Sequence, residues 1–127
     1  MIQFLTYLWQ LPQNILGFLL VVILRAKKQR VLNDPAGVVV FRQKIFKDVV
    51  VSLGQYVVLH EGSDDVTEKH EVGHSYQSMY YGPFYLIVVG IPSILRNIFA
   101  RILKKDAAWY YKGWPEKQAD QFGGVKR

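Results

Sequence analysis

Two stretches, residues 1–24 and 83–103, carry much of the apolar content of this 127-residue chain, and neither reads as a clean membrane span. A helix rises 1.5 Å per residue, so a crossing needs ~20 apolar residues. Residues 15–24, ILGFLLVVIL, are apolar throughout but too short alone. Extending back to residue 1 supplies the length, but takes Gln3, Gln10, Gln13 and Asn14 into the oil. Pro12 would kink or break such a helix, and Asn14 is a candidate cap for a new one. Two readings follow: a kinked span, or an interfacial helix followed by a shallow hydrophobic insertion. The segment lacks a basic leader and a small-x-small cleavage site, so it is expected to be retained.

Charge sharpens this reading. The chain carries 16 basic and 10 acidic residues, a formal charge of +6. Arg25, Lys27, Lys28 and Arg30 follow the first apolar stretch, and Arg101, Lys104 and Lys105 close the second. Cations beside oil favour anionic lipid headgroups, and no nucleic-acid motif argues for a phosphodiester partner. The expected location is a membrane. The first basic run places residue 25 onward, and so the candidate catalytic part, on the cytoplasmic side. Cysteine is absent, which excludes disulfides and thiolate zinc sites and leaves His, Asp and Glu to hold any metal.

The expected fold class is α+β: a small antiparallel sheet, then a helix bearing two histidines and a later short helix, with membrane-associated hydrophobic helices. Residues 1–30 read as an N-terminal membrane-associated segment. Residues 31–127 read as one domain with a hydrophobic and amphipathic insert at 83–105. LNDPAG, 32–37, is a turn. The Val-, Ile- and Tyr-rich run after it predicts strands near 38–45, 49–53 and 55–60, with Gly54 at a bulge or tight corner. After a loop at 62–65, Asp65 and Glu68 resemble a capping box, with Thr67 a second candidate cap, and a helix is expected from about 66 to Tyr81. Pro115 opens a short helix over 114–122, which Gly123-Gly124 stops.

KHEVGH contains H-E-x-x-H. Residues four apart share a helix face, so His70 and His74 can aim both imidazoles at one cation. Glu71, about a quarter turn away, can take a proton from a water polarised there. Gly73 suits a closely approached helix side. Gln77, Ser78 and Tyr81 continue the face and are candidate cleft residues. A third ligand is needed: His60 is one candidate, and Glu116 the better one. Asp120, four residues after Glu116, can orient a ligating histidine, while Gln118 between them is expected to point away. Two imidazoles and one carboxylate with an open position suit Zn2+.

H-E-x-x-H followed by E-x-x-x-D resembles the gluzincin zinc metallopeptidases. The resemblance implies zinc ligands at His70, His74 and Glu116, a general base at Glu71, and Asp120 bonded to a ligating histidine. The strings KHEVGHSYQS, YGPFYL, GIPSI and WPEKQADQFGGVKR resemble those of small uncharacterised bacterial membrane-associated proteins. Some gluzincins steady the oxyanion with a downstream His or Tyr. Tyr81, Tyr110 and Tyr111 stand as candidates for that role, without a choice among them.

If His70, His74 and Glu116 share one metal, the chain must leave and return on one side between them, which excludes a single crossing by 83–103. FYLIVVGI is expected to dip into the membrane and break at Gly90-Pro92. SILRNIFARILKK, capped by Ser93, should lie amphipathic at the surface. Trp109, Tyr110, Tyr111 and Trp114 read as an interfacial aromatic belt or a hydrophobic cluster. The expected function is a membrane-bound zinc metallopeptidase acting on a peptide or protein substrate, which could pair with a strand edge. The alternatives are a non-proteolytic metal hydrolase and a non-enzymatic membrane scaffold with a structural metal. Homo-oligomerisation is left open.

Overall fold

The computed structural model describes residues 2–32 and 37–127. The LNDPAG turn falls largely on residues 33–36, outside that set. Six α-helices and a four-stranded mixed sheet make up the described α+β fold.

Helices α1 (Ile2–Trp9) and α2 (Leu11–Ile23) form a bent pair that breaks at Gln10, with Pro12 in the first turn of α2, where its missing N–H costs nothing. The expected Asn14 cap is not made. Asn14 instead donates to Tyr7 O and accepts from the Gln55 backbone N–H at 2.7 Å. Gln10, Gln13 and Asn14 are buried, but against protein rather than lipid. Ser78 Oγ donates to Gln10, and Gln13 donates to Ser78 Oγ and Gly82 O. The polar face of this apolar pair is thus plugged into the rest of the chain.

The sheet runs β1 (Lys27–Val31), β2 (Val39–Gln43), β4 (Tyr56–His60), β3 (Val51–Leu53) in spatial order. The expected antiparallel sheet is corrected here. β2 and β4 pair in parallel, while β1–β2 and β3–β4 are antiparallel. β3 and β4 form a tight hairpin at Gly54, whose φ of 68° suits glycine. β1 falls on the basic run that the charge pattern assigned to lipid headgroups. It is an exposed edge strand, and lysine on an edge discourages further pairing. Along β4 the alternation sends Val57 and Leu59 into a core with Val38, Val40 and Val72, while Tyr56 meets Gly17 of α2.

α3 (Asp65–Tyr81) covers that core. Its cap is Asp64, one residue before the expected Asp65, and accepts from Thr67 N–H at 2.8 Å. Glu68 therefore sits outside a capping box and pairs instead with Arg30 and Arg42 of the sheet. α6 (Glu116–Gly123) packs on the other side of α3 at backbone contact. A Cβ on Gly73 would strike Ala119 O, and one on Gly123 would strike Lys69 O.

Between α3 and α6 the chain stays helical. A 3-10 turn (Gly82–Phe84) and a π-turn (Leu86–Gly90) lead directly into α4 (Ile91–Ile102). The expected break at Gly90-Pro92 is thus a change of helix type, because Pro92 occupies the first turn of α4, where no N–H is required. α5 (Ala107–Lys112), capped by Asp106, then turns the chain towards α6. No helix among the described residues is long and apolar enough to cross a membrane. Even so, Phe4, Phe18, Ile23, Ile87, Ile94 and Ile102 are all more than half exposed.

Candidate metal centre

The four-residue spacing on α3 and the glycine contact with α6 bring five side chains together. Glu116 Oε1 lies 3.1 Å from His74 Nε2 and 3.8 Å from His70 Nε2. The imidazoles stand edge to face, with centroids 4.7 Å apart. Their outer nitrogens are both engaged. His70 Nδ1 is 2.8 Å from Asp120 Oδ1, and His74 Nδ1 is 2.7 Å from Gln77 Oε1. The Gln77 amide is oriented by its other end, which donates to Pro115 O and Gln118 Oε1 at 3.0 Å. Both acceptors therefore draw the imidazole protons to Nδ1, and both Nε2 lone pairs face Glu116.

A lone pair does not rest against a carboxylate without something positive between them. Either His74 carries a second proton, or a cation sits there. In the first case Glu116 outweighs the burial that would lower the His74 pKa and pushes it up to about 9. Burial would raise the Glu116 carboxyl, but hydrogen bonds from His70, His74 and Ser93 hold it far below its ordinary range. In the second case the separations fit. A tetrahedral ion with ligand bonds of ~2.1 Å has edges of ~3.4 Å, between the two observed values.

Two carboxylates compete for the third position. One ligand atom each from His70, Glu71 and His74 also lies within 4.8 Å of the other two. Glu116 is fully buried and pinned: Ser93 Oγ donates to it at 2.8 Å and Tyr110 Oη at 3.0 Å. Glu71 instead lines a cavity of about 390 Å³ with His74 and Ser93. Burial pushes the Glu71 carboxyl up, against the pull of His74 and His70. The anchored group suits ligation, and the cavity-facing one with raised proton affinity suits proton transfer.

Several expectations are relocated. His60 ends β4 and accepts from Gly62 N–H, away from this convergence. Gln77, Ser78 and Tyr81 do not line the cavity. Gln77 is buried beneath His74, Ser78 meets Gln10 and Gln13, and Tyr81 donates to Gln118. Gln118 does not point away, since it receives both Gln77 and Tyr81. Ser93 is no cap; it holds Glu116. The aromatic run builds a wall of the site: Tyr111 stands edge-on to His70, and Trp114 packs on Tyr81. Arg127, which no motif singles out, donates to Asp120 at 2.7 Å and stacks on Tyr111.

Comparisons with protein-family models, curated proteins and solved structures returned no match.

Proposed function

We propose that the chain is a membrane-attached zinc metallopeptidase of gluzincin type. The observation that carries this reading is the pair of Nε2 lone pairs aimed at one anchored carboxylate, each imidazole fixed by an acceptor on its far side. His70, His74 and Glu116 would hold zinc, which when bound supplies a Lewis acid and acidifies water in its open position. Glu71 would accept that proton and return it to the leaving amine. Of Tyr81, Tyr110 and Tyr111, Tyr110 lines the cavity; its one phenolic proton is donated to Glu116, so it would serve a developing oxyanion only by turning from that bond. The edge strand β3 borders the same cavity and offers backbone to an extended peptide. Exposed apolar residues on α1, α2 and α4, with basic residues after α2 and α4, support attachment to an anionic membrane.

One observation favours a different reading. A proton on His74 would also satisfy Glu116, giving a buried ion pair in a non-enzymatic scaffold. Glu71→Gln distinguishes the two. The variant should keep zinc and lose peptide hydrolysis, because glutamine matches the size of Glu71 but cannot take the proton. Hydrolysis near the wild-type rate would refute the general-base role.

A further inference from the structure

The cavity beside Glu71 lies between the edge strand β3 and helix α4, and its wall is mostly apolar: Val51, Leu53, Leu86, Ile91, Ile94 and Ile98. Three of these belong also to the outer surface. Ile91, Ile94 and Ile98 are 52%, 62% and 45% exposed, and Leu95, Phe99 and Ile102 extend the same uncovered surface along α4. The rim of the cavity is therefore continuous with an apolar face. At the C-terminal end of that face, Arg101, Lys104 and Lys105 line a second hollow of about 510 Å³. The two hollows share Asn97 and Tyr110, so the cationic hollow adjoins the apolar one. The carboxylate lining the cationic hollow, Asp106, is engaged in capping α5. Isoleucines beside a cluster of lysine and arginine complement an acyl layer beneath anionic headgroups.

We infer that the cavity is filled from the lipid side: α4 seats in the surface of an anionic bilayer, and the site takes an apolar polypeptide segment lying in that leaflet. The inference rests on the metallopeptidase reading and names its substrate class. Lining of this kind offers little to a charged peptide in solution, whose side chains would lose water without gaining partners.

The absence of cysteine permits single-site labelling. An environment-sensitive fluorophore on Ile94→Cys should shift to the blue on adding phosphatidylcholine–phosphatidylglycerol vesicles and be quenched by lipids spin-labelled on the acyl chain. The same fluorophore on Glu61→Cys should remain in water. In zinc-loaded protein carrying Glu71→Gln, a photocrosslinker on Ile98→Cys should capture a Leu/Val-rich peptide reconstituted in those vesicles, and not a Ser/Lys-rich peptide of equal length in solution. A fluorophore at position 94 that stays in water overturns the inference. So does capture of the soluble polar peptide as readily as the apolar one, or no capture of the apolar one. Zinc content separates the two levels of failure. A zinc-bearing protein that ignores the apolar peptide refutes the substrate class alone, whereas protein that binds no zinc refutes the metallopeptidase reading.

Discussion

Gln77 holds its amide oxygen 2.7 Å from Nδ1 of His74, three residues earlier on the same helix. The amide cannot flip without losing its donor bonds to Pro115 O and Gln118. It thus holds a proton on Nδ1 of His74 and keeps Nε2 turned towards Glu116. Gln77→Leu should weaken zinc affinity by roughly 10–100-fold while all three ligands remain. Competition titration with a chelating dye reads the change. Unchanged affinity would mean that His74 orientation does not depend on Gln77.

On the other histidine the corresponding partner is Asp120, itself braced by Arg127. Asp120→Ala is expected to reduce zinc affinity by roughly 10–100-fold. Arg127→Ala should cost less, because the carboxylate stays beside His70. Glu116→Ala should cost most, since it removes a ligand outright. Affinities ranked in the reverse order would show that α6 does not serve the metal.

α3 and α6 approach closely enough that Gly73 and Gly123 have no room for a side chain. Gly73→Ala must push Ala119 and its helix away, and overpacking of this kind typically destabilises by about 1–3 kcal/mol. Urea unfolding of metal-free protein measures the loss. The same displacement draws Asp120 from His70, so zinc affinity should fall alongside stability. A variant as stable as the wild type would contradict the observed packing.

The legible parts of the fold are those with local causes. β-branched residues mark β2, β3 and β4, and the capping residues before α3 and the glycines that close α6 bound those helices closely. β1 escapes because KKQRV has no alternation to read; all five residues are exposed, and its partner alone makes it a strand. The parallel pairing of β2 with β4 is likewise non-local. At the site, His70, Glu71, His74, Glu116 and Asp120 follow from spacing. Ser93 and Arg127 do not: Ser93 reads as a helix cap after Pro92 and lies 23 residues from the carboxylate it holds, and Arg127 follows α6 altogether. Gln77 lies on the expected helix, but three residues on from His74 its side chain turns beneath that ring rather than along the cleft.

The central claim is that His70, His74 and Glu116 hold one zinc ion, and metal analysis of purified protein tests it most directly. The expected result is about one zinc per wild-type chain, retained in Glu71→Gln and lost in His70→Ala and Glu116→Ala. Wild-type protein without zinc, or zinc content indifferent to His70→Ala and Glu116→Ala, would contradict the account and leave the buried ion pair in its place.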